Sequence, residues 1–175
     1  MAHFRLLEAF ADAFTEKPYF HRNQTIGNFI AVHLFDDLID LGRSAKLVER
    51  VAARRCVVNT ANLISGRRGR RGDGTMGDLI PGETPEGETG FLVPRGPVAT
   101  ILVGAEVKIL AKSMIKQVDR VISDLAKQAA VFRKQTSQAI TVALVGVNCA
   151  DSYTSYEGER RYPAKPTPAQ EAPKA

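Results

Sequence analysis

Apolar residues in the first third of the chain recur at helical spacing. Phe4, Leu7, Phe10 and Phe14 return every three or four positions and the run stops before Lys17-Pro18, which predicts a first helix. Ile26, Phe29, Ile30, Leu34 and Leu38 predict a second helix ending near Gly42. A third is expected after Ser44, with Leu47, Val48, Val51 and Cys56 on one side. His33 falls among the apolar positions of the second helix and reads as a core histidine with its hydrogen bonds met. After residue 90 the period changes. Residues 91–93 read as a short strand, followed by a turn at Pro94-Arg95-Gly96-Pro97. Val98–Leu110, VATILVGAEVKIL, is rich in β-branched residues and gives the strongest strand signal in the chain. An amphipathic helix is expected over 111–134, with Ile115, Val118, Ile122, Leu125, Ala129 and Phe132 along one stripe. Residues 139–147, AITVALVGV, form a near-continuous apolar run, the pattern of a strand buried on both faces. A strand reached through a crossover helix ordinarily runs parallel to the strand before that helix.

Two stretches break this regularity. Residues 66–90, GRRGRRGDGTMGDLIPGETPEGETG, have the chemistry of a loop but exceed an ordinary connection, so residues 67–78 are expected to be a functional loop. Beyond Tyr162 the sequence PAKPTPAQEAPKA lacks large apolar side chains, and disorder is expected. The chain therefore divides into an N-terminal helical segment (1–43) packed on an α/β core (44–160), with a Pro/Ala-rich tail (161–175).

Composition narrows the class of protein. A chain of 175 residues suits one domain with a sizeable core. It has no long apolar run and no basic-then-apolar leader, so neither a membrane span nor a secretory signal is expected, and the location implied is the cytoplasm. Cys56 and Cys149 are too few for a disulfide framework and too far apart for a zinc site. The net charge of +5 allows a polyanionic partner without requiring one. Its distribution says more: Arg67, Arg68, Arg70 and Arg71 fall within five residues, with Arg54 and Arg55 upstream. A guanidinium can donate two hydrogen bonds to one phosphate, which makes this cluster a candidate nucleic-acid-binding element; the plainer reading is a solvated basic loop. Gly72-Asp73-Gly74-Thr75-Met76-Gly77 matches GxGxxG, but an arginine-rich loop precedes it and Pro81-Gly82 follows, so the strand and helix of a dinucleotide site are missing.

The candidate chemistry lies at Glu106-Val107-Lys108, inside the strongest strand. Side chains on a strand alternate, so Glu106 and Lys108 share one face while Ala105, Val107 and Ile109 share the other. Two charges on an apolar strand are costly unless something compensates them, such as each other or a bound cation.

This ExK strand, placed before a long helix and a further apolar strand, with acidic residues upstream, resembles the core of the PD-(D/E)xK, restriction-endonuclease-like nucleases, over roughly residues 44–148. The family core is a helix, a three-stranded meander, a helix and a strand. The resemblance implies a restriction-endonuclease-like α/β fold with a central mixed sheet flanked by helices, and a metal-dependent endonuclease hydrolysing phosphodiester bonds of DNA. It implies Mg²⁺ (or Mn²⁺) bound by Glu106, the Val107 carbonyl and an upstream acid, with Lys108 positioning the attacking water. Asp73 and Asp78 are the leading candidates for that acid, and a tight hairpin at 94–97 would add Glu88. The separation from Asp73 or Asp78 to Glu106 is longer than the compact family pattern. Several branches of the family support the site from the following helix, where Gln117 is the candidate beside Lys112 and Lys116. Double-stranded DNA is the partner implied, gripped by Arg67, Arg68, Arg70 and Arg71, and many relatives form homodimers to cut both strands. The alternative is a nucleic-acid- or protein-binding module with the same fold and no catalysis.

Overall fold

The computed structural model describes residues 4–14, 24–59, 63–64, 67–68, 72–110, 118–147, 152–154 and 161–163. In chain order the elements are α1 (Arg5–Phe14), α2 (Gln24–Asp40), α3 (Ala45–Ala52), β1 (Cys56–Val58), β2 (Leu63–Ile64), β3 (Arg67–Arg68), β4 (Gly74–Leu79), β5 (Val98–Leu110), α4 (Val118–Gln135), β6 (Ile140–Val147), β7 (Ser152–Thr154) and β8 (Arg161–Pro163).

Local signals set several of these boundaries. Ser44 caps α3, its hydroxyl accepting the Leu47 N–H at 3.3 Å. The chain leaves α2 through Gly42 at φ +60°, a left-handed conformation that glycine adopts without strain. Cys56 belongs to the strand after α3 rather than to the helix itself.

The principal strands lie in the order β1-β4-β5-β6 and make a mixed sheet flanked by helices, an α/β fold. β1 and β4 are antiparallel, from Cys56↔Asp78 to Val58↔Met76. β4 and β5 are antiparallel, from Gly74↔Ala105 to Leu79↔Val98. β5 and β6 are parallel, from Val103↔Ile140 to Leu110↔Val147, the direction expected of a helical crossover. The short β2 meets β5 at Ile64↔Val98 and pairs with β3.

Three expectations need correction. Residues 91–93 are not a strand; the antiparallel neighbour of β5 is β4, drawn from the glycine-rich segment read as a loop. Residues 94–97 do not make a hairpin turn. They run beside β1, with Pro94 accepting from Val58 N–H at 2.8 Å and Gly96 N–H donating to Val58 at 2.9 Å, while Arg95 pairs with Glu86. β6 is not buried on both faces: Ile140 is 63% and Val147 48% exposed. Farther along, residues 161–163, assigned to the tail, pair with β7, as in Tyr153↔Tyr162; residues 164–175 lie outside the described residues.

Each face of the sheet is covered differently. Ala105, Val107 and Ile109 point to the side where Ile30, Ala31, Leu34 and Phe35 of α2 complete the main core. Burying a side chain of the size of Ile30 or Phe35 contributes about 1.5–3 kcal/mol. Gly74 is packed closely there, because a Cβ on it would fall 2.7 Å from that of Ala31. On the opposite side Phe132 of α4 lies on Gly104. The inward stripe of α4 is Val121, Leu125, Gln128 and Phe132, which shares Leu125 and Phe132 with the expected one but not Val118 or Ile122, 37% and 58% exposed.

Two acids fasten the helical segment. Asp37 of α2 accepts the Arg5 and Leu6 N–H groups, both at 2.9 Å, and so caps the start of α1. Asp36 has a fully buried side chain and accepts Leu92 and Val93 N–H, each at 3.1 Å, while Arg5 Nη1 lies 3.2 Å from its other oxygen. Burial pushes the Asp36 carboxyl above the usual carboxylate range, partly offset by those donors.

Candidate active site

The ladder between β4 and β5 ends at Gly74↔Ala105. One residue earlier, Asp73 still donates its own N–H to Ala105 at 3.2 Å, but its side chain replaces the strand as acceptor. Asp73 Oδ2 accepts the Val107 N–H at 2.6 Å. A residue on a strand directs its N–H and C=O to the same edge, so the Val107 carbonyl also faces the β4 side, beyond the last paired residue.

Glu106 sits on the α4 face beside this junction. It is 7% exposed, and its Oε1 accepts Lys108 Nζ at 2.5 Å. Alternation had placed these two charges on one face, and they meet there. The Lys108 side chain keeps 31% exposure, against 9% for that of Glu106.

Two glycines make room for the carboxylates. A Cβ on Gly72 would lie 2.9 Å from Glu106 Oε2, from the Ala105 carbonyl oxygen and from Phe132 Cζ, and Gly72 has φ +64°. A Cβ on Gly27 of α2 would lie 2.6 Å from Asp73 Oδ1. Gly27 and Gly72 were not recognised from sequence as site residues; Gly72 carried a signal only as part of a false dinucleotide motif.

The remaining candidates separate clearly. Asp78 pairs with Thr100, six positions along β5 from Glu106, or about 20 Å at the rise of a strand. It forms an ion pair with Arg50. Glu88 binds Arg95 Nε at 2.6 Å, and with the expected hairpin absent it does not face Glu106. Of these three acids, Asp73 is the one whose side chain reaches the Glu106–Lys108 segment, at the Val107 N–H. Gln117, Arg70 and Arg71 lie outside the described residues; Arg67 and Arg68 form β3, and their backbone pairs with Ile64 and Leu63.

The donor set of two carboxylates and a carbonyl consists of hard oxygens, which suits Mg²⁺ or Mn²⁺ rather than a thiophilic metal. No group of three or more His, Cys, Asp or Glu side chains that could hold a metal occurs among the described residues, so protein carboxylates would supply part of such a shell and the carbonyl and water the rest.

His33 lies elsewhere, edge-on to Phe29 (centroids 4.4 Å) and tilted against Phe91 (5.5 Å). Its Nδ1 is buried without a hydrogen-bond partner, contrary to the satisfied histidine expected. Burial lowers its pKa, against the opposing effect of Asp36 and Asp37. Cys56 is fully buried, and burial pushes its thiol up to about 11.

No family model, curated protein or solved structure matches the chain. No helix among the described residues is long and apolar enough to cross a membrane.

Proposed function

We propose that this protein is a metal-dependent endonuclease of the PD-(D/E)xK class acting on DNA. The observation that carries the reading is the convergence of Asp73 with Glu106-Val107-Lys108 at the end of the β4–β5 ladder. The order α3, β1, β4, β5, α4, β6 supports it, since it follows the family's helix, meander, helix and strand, with the short β2–β3 pair inserted. The long connection from Leu79 to Val98 leaves from the far end of the ladder, so its length does not affect the distance from Asp73 to Glu106.

Asp73, Glu106 and the Val107 carbonyl would hold the cation. When bound, Mg²⁺ supplies charge neutralisation at the phosphate and lowers the pKa of a coordinated water. Lys108, partly exposed beside Glu106, orients the water or neutralises a phosphate oxygen. The arginine-bearing segment leads in sequence directly into Gly72 and Asp73, and Arg67, Arg68, Arg70 and Arg71 grip the backbone without reading bases.

The test is incubation of supercoiled plasmid at low salt, with and without Mg²⁺, using the wild type and Lys108→Ala. Nicking that needs Mg²⁺ and falls at least about 100-fold in the variant is expected. Salt-sensitive binding with no cleavage would assign the protein instead to the non-catalytic binding modules. Undiminished nicking by Lys108→Ala would remove Lys108 from the mechanism.

A further inference from the structure

Gln128 is 3% exposed, and its side-chain nitrogen is buried without an acceptor. A buried amide N–H left unpaired is costly, so such a group calls for a function or a partner. Its position follows from the topology. β6 begins beside Val103, so α4 must return from the Leu110 end of β5 towards its middle. Phe132 marks the level of Gly104, the residue on which its ring rests. Gln128 lies one turn before Phe132, about 6 Å back along the helix at 1.5 Å per residue. Two residues along β5 from Gly104, about 6.6 Å, is Glu106. Gln128 and Glu106 thus stand at the same level, on facing elements.

The two oxygens of Glu106 are placed differently. Oε1 is held by Lys108, whereas Oε2 points towards Gly72 and the Phe132 ring, the side on which α4 lies. A cation on Glu106 would repel the Lys108 ammonium, and the carboxylate would then lose the side-chain donor that holds it among the described residues. A neutral amide is not repelled.

Resting on the nuclease reading, we propose that Gln128 is a positioning residue: its side-chain N–H donates to the Glu106 carboxylate when a divalent cation is bound, replacing Lys108 and leaving the ammonium for the phosphate. The pairing in the metal-free protein is Lys108 with Glu106; the metal-bound pairing is Gln128 with Glu106.

The experiment is Mn²⁺ titration of the full chain, read by water-proton relaxation, with the metal-free thermal midpoint of each variant as control. Glu106→Ala is expected to abolish specific binding. Gln128→Met, nearly isosteric, is expected to weaken it about tenfold, the size of effect seen when a group supporting a ligand is lost. Its metal-free midpoint should hold or rise, because an unpaired buried amide has gone. Gln128→Glu sets a third carboxylate beside the cation and is expected to tighten binding. A residue with a merely structural role would move midpoint and affinity in the same direction. Wild-type affinity in both Gln128 variants, with binding still lost in Glu106→Ala, would overturn this proposal and leave the nuclease reading standing. Absence of Glu106-dependent Mn²⁺ binding in the wild type would overturn both.

Discussion

The Asp73 carboxylate takes the Val107 N–H at 2.6 Å where the β4 backbone no longer reaches it, so one side chain both ends the ladder and is tied to the residue between Glu106 and Lys108. The two roles can be pulled apart by substitution. Asp73→Asn keeps an oxygen acceptor for Val107 and removes the charge; its thermal midpoint should stay within about 2 °C of wild type, as expected for a change well under 1 kcal/mol. Mn²⁺ binding and cleavage should be lost. Asp73→Ala leaves the buried Val107 N–H unpaired and should cost about 1–3 kcal/mol as well, measured by urea denaturation. If Asp73→Asn cleaved normally, Asp73 would be a structural cap alone.

Gly27 offers a second separation of stability from function. Alanine is favoured over glycine inside a helix by about 1 kcal/mol. At this position, however, the new Cβ would lie 2.6 Å from Asp73 Oδ1. Gly27→Ala should therefore change stability little while weakening Mn²⁺ binding about tenfold, as displacement of a ligand does. Unchanged affinity would show that Asp73 tolerates displacement or does not bind the ion.

Much of this arrangement was legible because period and chemistry agreed. β5 occupies the residues that its β-branched run indicates, and its alternation set Glu106 against Lys108. The parallel direction of β6 followed from the crossover rule. β4 was missed because GTMGDL carries two glycines and an aspartate, the vocabulary of loops. Those glycines have packing reasons instead: Gly74 abuts Ala31 and Phe35, and a Cβ on Gly77 would collide with the Thr100 carbonyl. With β4 unseen, residues 91–93 became the default neighbour of β5, and Glu88 became a false candidate. Asp78 looked equal to Asp73 for a related reason: only the register shows that they lie at opposite ends of the strand. On α4 the apolar stripe pointed to Ile122, whereas the buried face includes polar Gln128, which no count of apolar residues selects.

Asp36 should matter for folding rather than chemistry. Asp36→Ala would leave the Leu92 and Val93 N–H groups without their acceptor and Arg5 without one of its partners. Loss of about 2–5 kcal/mol is expected in urea denaturation. Asp36→Asn, which retains an acceptor oxygen, should lose less. Equal losses would mean that the charge, and not the backbone acceptor, is what the site requires.

His33 adds a pH dependence of known sign. Its pKa is lowered in the fold below the ordinary 6.5, because burial disfavours the cation. The unfolded chain therefore binds a proton first, and the stability due to neutral His33 is present above about pH 6.5 and is lost as pH falls through and below that value. The thermal midpoint should drop over this range in the wild type, and drop less in His33→Phe, which keeps a ring between Phe29 and Phe91. Identical slopes in the two proteins would contradict the assignment.

Crystals soaked in Mn²⁺ and measured at a wavelength where manganese scatters anomalously would locate the cation itself. An anomalous peak is expected within bonding distance of both Asp73 and Glu106, on the edge of β5 that the Val107 carbonyl faces. A peak bound elsewhere, or none at full soaking concentration with both carboxylates ordered, would contradict it.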